Sequence, residues 1–194
     1  MGRWNTIKSV LNITETNVAN KKNSTTRTRK PAVEMVEIVD KDDNVLGTME
    51  RKEAEAKGKR YRIVHVILVN DDDTMLVQWR KATKSVSPRT FTASAAGAVD
   101  IGESYEAAAV REVKEELGIR LRKPLKFMGK FSTKSANGQL FAGVYNGEVK
   151  GWEEEADAID YLNRDEAEYL LKRYPYLLSP SFVQSLKLFL KATK

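Results

Sequence analysis

Between Ser104 and Gly118 one helical stretch has to meet two opposed demands. Its aliphatic residues must be buried, and its acids must stay charged. Helical residues advance by about 100° each. Val110, Val113 and Leu117 therefore fall on one side, read as the core face. Glu112, Glu115 and Glu116 crowd an adjacent side. Glu112 and Glu116 stand four residues apart, where like charges repel. A helix gains no stability from that arrangement alone. A hard cation placed among the three would remove the penalty, because Mg²⁺ and Mn²⁺ favour carboxylate oxygens. Ala107, Ala108 and Ala109 keep the helix slim for packing on a sheet, and Gly118 suits a left-handed helix end. The plain alternative is a solvated acidic face.

The flanking spacing favours the cation. Gly97 is followed by five residues, Glu103, seven residues, and then Arg111-Glu112-Val113-Lys114-Glu115-Glu116-Leu117-Gly118-Ile119. This resembles the Nudix box, G-x5-E-x7-R-E-U-x-E-E-x-G-U with U aliphatic, at every fixed position. The resemblance implies an α/β Nudix fold, a mixed β-sheet sandwiched between α-helices. It implies a hydrolase domain over residues 31–194 with its box at 97–119, and water attack on a diphosphate with Mg²⁺ or Mn²⁺ as cofactor. It implies metal ligands at Glu112, Glu115 and Glu116, with Glu103 near or in the metal shell and backbone carbonyls offered at Ala96 and Gly97. One glutamate, in the family often the position of Glu112, orients or deprotonates the attacking water. The catalytic set is thus Glu112, Glu115 and Arg111, with Arg111 orienting a box carboxylate such as Glu103. Family members often recruit a further acid downstream. The candidates are Glu153, Glu154 and Glu155, and Glu155 is favoured because it stands six residues before Tyr161, read as opening a strand.

Beyond the box the chain resembles the isopentenyl-diphosphate-isomerase-like branch. The carrying residues are Val36 to Gly47, Tyr61 to His65, Gln78-Trp79-Arg80, Lys84, Pro88 and Ser94 to Gly97. That branch's isomerases use a cysteine just before the box glycine and histidines near it. Here Ala96 precedes Gly97, Tyr61 precedes Arg62, no cysteine exists and His65 is the one histidine. Isomerase chemistry is disfavoured, and a hydrolase acting on a nucleoside diphosphate derivative or related organic diphosphate is expected. A nucleotide- or RNA-sensing module without turnover is the rival. Arg80, Lys81, Lys84 and Arg89 form a basic loop, which either clamps the non-reacting phosphate or is surface charge; Arg80, Lys84 and Arg89 are taken as substrate-binding. Trp79, Phe91, Tyr145 and Trp152 either stack on a base or pack in the core. His65, in an apolar run, reads as structural.

The formal net charge of +6 lies entirely in residues 1–30, which hold seven Lys and Arg and one acid. The remainder is balanced, so the basic character belongs to the extension. This Asn-, Thr- and Ser-rich segment reads as a disordered extension or an organellar targeting peptide. It is the one part through which nucleic acid could bind. No run is apolar enough for a membrane span. A cytoplasmic setting is expected, or a mitochondrial one if the source is eukaryotic and the extension is a targeting signal.

Strand patterning appears at Met35–Val39, Tyr61–Val69, Met75–Trp79, Phe91–Val99, Lys126–Ser132, Leu140–Val149 and Ile159–Leu162. Tyr61–Val69 and Met75–Trp79 read as a hairpin, and Ala136-Asn137-Gly138 reads as a turn. Helices are expected at Glu50–Lys57, Ser104–Leu117, Asp165–Arg173 and Ser181–Lys191.

Overall fold

A computed structural model describes residues 33–194. The extension over residues 1–30 lies outside the described residues. The sheet is organised around one apolar strand. β3 (Tyr61–Val69) is buried along most of its length. It pairs in parallel with β8 (Ala136–Val144) through nine residues and antiparallel with β6 (Ala95–Ala98) on its other side. A strand covered on both faces needs apolar residues throughout, which is why its sequence does not alternate. Val64, Val66 and Leu68 point to one helix layer. His65 points to the other, where it meets Ser185 and Phe182.

β1 (Met35–Val39) and β2 (Val45–Glu50) form a hairpin joined to β3 at Ile38↔Tyr61. β2 is not recognisable as a strand from sequence, because its residues are exposed or only partly buried and carry no alternation. Helix α1 (Arg51–Ala56) comes directly after it. β7 (Lys126–Ser132) lies beyond β8. β4 (Met75–Arg80) carries β9 (Ala156–Leu162) on one edge and the short β5 (Phe91–Thr92) on the other.

Helix α2 (Tyr105–Leu117) covers one face of the sheet. Helix α4 (Pro180–Ala192) covers the opposite face through Phe182, Leu186 and Phe189. Helix α3 (Arg164–Arg173) precedes it and starts with a capping box between Asn163 and Glu166. The expected mixed sheet between helices is thus present. No helix among the described residues is long and apolar enough to cross a membrane.

Several local expectations are corrected. β3 and β4 are not a hairpin in the full sense. Their turn forms, with Asn70 Oδ1 accepting from Asp72 and Thr74 N–H, but only Val69↔Met75 pair before the strands diverge. Phe91–Val99 is two strands rather than one. Ala136-Asn137-Gly138 is strand, not turn. Gly138 is there because the Phe131 ring lies on its backbone, and a Cβ would stand 2.2 Å from Phe131 Cζ. The arc of α2 that is buried runs from Ala108 through Glu112, Glu116, Ala109 and Val113 to Leu117. Val110 lies about 60° beyond Val113 on the helical wheel and is 48% exposed, so it is not a core residue.

The Phe131–Gly138 contact gives a test of the packing. Gly138→Ala should destabilise the protein by about 1–3 kcal/mol through overpacking. Urea denaturation measures it, and Phe131→Leu in the same chain should recover part of the loss. An unchanged midpoint for Gly138→Ala would contradict the close approach.

Candidate active site

Helix α2 is fixed at both ends. Ser104 Oγ accepts from Ala107 N–H, and Gly118, at φ 65°, donates its N–H to Lys114 O. The helix packs against β6, so its buried arc carries Glu112 and Glu116 onto the strand's end. Each is only 8% exposed. Glu116 Oε2 accepts from Gln78 Nε2 at 2.8 Å and from Ala96 N–H at 3.1 Å. Glu112 lies directly over Gly97, where a Cβ would come within 2.0 Å of its Oε1. The box glycine is therefore needed for space.

Arg111 is the hub. It donates from Nε to Glu103 Oε1 (3.0 Å) and from Nη2 to Glu103 Oε2 (2.9 Å) and Ala98 O (2.9 Å). Its Nη1 reaches Glu112 Oε1 at 2.7 Å and Glu115 Oε2 at 3.1 Å. The Glu103 bonds raise the guanidinium pKa, and the same bonds hold the Glu103 carboxyl below its usual range. Both oxygens of Glu103 are thus committed to Arg111.

A cavity of about 590 Å³ opens over this face. Its lining includes Ala96, Gly97, Arg111, Glu112, Glu115, Glu116, Arg80, Lys84 and Glu155, bringing these predicted residues together. Glu103 does not line it, and the structure places this residue as Arg111's anchor. Arg89 is not in the lining either; it is exposed on the loop, at φ 52°. Lys81 and Glu153 do not line the cavity, whereas Glu154 does. Glu155 stands just before β9, which starts at Ala156; Tyr161 lies near that strand's end rather than opening it. Arg80 is already engaged, with Nε and Nη2 both donating to Val86 O. Lys84 is ion-paired to Glu155.

Sequence reasoning misses a whole wall. Glu34, Arg51, Lys52 and Glu55 line the cavity from α1 and the chain before β1. Arg51 bonds Glu34 Oε1 at 2.7 Å and Glu55 Oε1 at 3.0 Å. No periodicity marks these residues as facing a box more than forty positions downstream. Asp100 is also missed; it lines the cavity 3.6 Å from Arg111. In all, carboxylates outnumber cations in the lining by eight to five. The aromatic candidates lie elsewhere: Trp79 packs edge-on against Phe91, Tyr145 donates to Glu148 O, and Trp152 packs against the core under α2. His65 is buried with Nδ1 2.8 Å from Ser185 Oγ, and burial pushes its pKa down to about 3.

The donor set fits a hard dication in its chemistry: carboxylate oxygens, with no thiolate in a cysteine-free sequence. As they stand, the carboxylates are partnered by Arg111 and Gln78. No three acidic or histidine side chains converge as a finished cage among the described residues. The site's own cations do not offset the burial of these two carboxyls. Burial, then the neighbouring Glu112 and Glu155, pushes the Glu116 carboxyl up to about 8. Burial likewise raises Glu112 to about 6, although Arg111 pulls it back.

The sign of the resulting pH dependence comes from linkage. Both folded pKa values lie above the ordinary 4.5. Their contribution is fully present below that pH and is lost as pH rises through about 6 and 8. In metal-free buffer, the wild type should therefore lose melting temperature relative to Glu116→Gln between pH 5 and pH 8. Scanning calorimetry at stepped pH checks it; parallel curves for the two proteins would contradict the buried carboxylate.

The NUDIX domain family model matches residues 59–180. A Nudix hydrolase of Pseudomonas aeruginosa is 31% identical over 163 residues, covering 82% of this chain and 95% of that protein. A Methanosarcina mazei protein named prenyl-diphosphate phosphatase is 31% identical over 153 residues, covering 76% of this chain and 89% of its own length. Among solved structures, a Deinococcus radiodurans protein superposes with a TM-score of 0.70 at 23% identity, covering 79% of this chain and 98% of that one. The last likeness concerns the fold alone. The family match spans well over half of the chain and contains the whole glutamate-bearing helix and its glycine loop, so this chain belongs to the Nudix hydrolase family.

Proposed function

We propose that the chain hydrolyses the diphosphate linkage of an organic diphosphate with the help of Mg²⁺ or Mn²⁺. The observation that carries this reading is the pair of buried carboxylates, Glu112 and Glu116, on the floor of a cavity whose walls bear Arg51, Lys52, Arg80 and Lys84. A buried pair of like charges is costly unless a cation compensates it. Glu112, Glu115, Glu116, Glu155 and the Gly97 carbonyl would hold that cation. A bound dication supplies Lewis acidity, which neutralises phosphate oxygens and lowers the pKa of a neighbouring water.

The chain's own groups supply the rest. Gln78 and the Ala96 N–H fix one oxygen of Glu116 and leave the other for the cavity. Glu103 fixes Arg111, and Arg111 orients Glu112 and Glu115. Glu112, whose carboxylate Arg111 orients, accepts the proton of the attacking water. The cationic wall binds the phosphate that does not react and spreads its charge.

Within organic diphosphates, the reading favours substrates without a base. Among the described residues no aromatic side chain lines the cavity, and the M. mazei relative bears the name of a prenyl-diphosphate phosphatase. Isomerase chemistry lacks its cysteine in this sequence.

Glu115→Gln and Glu116→Gln should each lower turnover on the order of 10²-fold or more. Release of phosphate from isopentenyl diphosphate, and of AMP and ribose 5-phosphate from ADP-ribose, with Mg²⁺ and with excess EDTA, is the measurement. The prenyl substrate should be faster, and EDTA should abolish both reactions. Wild-type rates in the variants or in EDTA would end the reading. No turnover of any diphosphate, with tight binding retained, would instead favour a sensing module.

A further inference from the structure

Two cavity walls each present a group the proposed reaction would use, and the two groups neutralise one another. Lys84 lies in the loop between β4 and β5, and Glu155 immediately precedes β9. Both line the cavity, and their side chains form an ion pair. They remain 28% and 33% exposed, so solvent and ligands reach them.

Their backbones are held independently of that ion pair. Arg80 grips the loop through Val86 O, Lys84 N–H donates to Lys81 O at 3.2 Å, and Thr90 Oγ1 donates to Ser87 O at 2.8 Å. Ser87 and Arg89 take left-handed φ values of 48° and 52°, which fixes the turn. On the other wall, Glu155 N–H closes the 3-10 turn Trp152–Glu154 onto Trp152 O at 2.9 Å. The ammonium at the end of a four-carbon stem can change partner without any loop movement.

We propose that Lys84 and Glu155 are an exchange pair. An arriving diphosphate takes Lys84, because the group carries more negative charge than a carboxylate and its oxygens accept as well. The released Glu155 carboxylate then turns to the face that holds Glu112 and Glu116, and it already acts on the Glu116 charge. Anion capture thereby completes the cation site, and the two ligands reinforce each other. In the free protein the same pair keeps Lys84 from binding anions and Glu155 from binding cations. This inference rests on the diphosphate-hydrolase reading.

The test measures binding rather than turnover. Methylenediphosphonate is titrated calorimetrically, in EDTA, into the full chain and into its variants. Glu155→Gln frees Lys84 and should tighten binding by about three- to fivefold, the scale of a part-exposed ion pair. Glu154→Gln removes the same charge from the same cavity without touching Lys84, and should change affinity by less than about twofold. In the Lys84→Met background, adding Glu155→Gln should gain no more than Glu154→Gln does. Equal gains from Glu154→Gln and Glu155→Gln would overturn the proposal. So would a Glu155→Gln gain that survives Lys84→Met, or no binding by Glu155→Gln at millimolar ligand. Melting curves establish that each variant is folded, and Glu155→Ala replaces any Glu155→Gln that is not. Failure of the hydrolase reading is seen separately, as absence of Mg²⁺-dependent turnover in the wild type.

Discussion

Two carboxylates on the buried arc of one helix set the terms for the rest of the molecule. Glu112 and Glu116 sit four residues apart on α2, each almost wholly buried. Such a pair opposes folding through mutual repulsion and lost hydration. The structure offsets this locally. Arg111 reaches Glu112, while Gln78 and the Ala96 N–H reach Glu116. It does not remove the cost, since both carboxyls are left with raised pKa values. The molecule tolerates a standing electrostatic penalty at one place, and that place faces the cavity.

The fold serves to hold those two groups still. β6 carries Gly97, whose bare backbone admits Glu112. β3 carries β6 on one side and β8 on the other, so the box glycine is anchored to a strand buried along most of its length. α2 packs on the same layer through Ala108, Ala109, Val113 and Leu117, none of them measurably exposed. α4 closes the opposite face with Phe182 and Leu186, and His65 is satisfied there by Ser185. The rigid part of the site is therefore one helix, one strand and one glycine. Its cationic walls come from α1, from the end of β4 and from the loop after it, which is why they have their own salt-bridge and carbonyl anchors.

How much of the molecule is legible in the sequence depends on the reach of each signal. The box residues sit within one turn-and-helix unit: helical spacing brings Glu112 and Glu116 together, and the resemblance to the Nudix box adds Gly97. Local periodicity also finds most strands and all four α-helices among the described residues. It places Val110 in the core because three aliphatics share a side, yet the glutamates occupy the buried arc and displace Val110 to its edge. It reads Gly138 as a turn because a glycine kept for the Phe131 ring looks the same as one kept for its φ. Charge and proximity in sequence assign Arg89 to substrate binding, although it is exposed on the loop and does not line the cavity. Arg51, Lys52, Glu34 and Glu55 carry no sequence signal, since only the path of β1 and β2 brings them to α2's glutamates. Tyr161 is the wrong reason for choosing Glu155, yet Glu155 does line the cavity.

A dication that relieves the repulsion between Glu112 and Glu116 is the central claim. Direct Mn²⁺ titration, followed by electron paramagnetic resonance without substrate, tests it most plainly. The wild type should bind saturably, and more strongly between pH 6 and pH 8, as protons leave the two carboxyls. Glu112→Gln and Glu116→Gln should each weaken binding by about tenfold or more and flatten that pH dependence. Wild-type affinity in both variants, or binding that is indifferent to pH across that range, would contradict it.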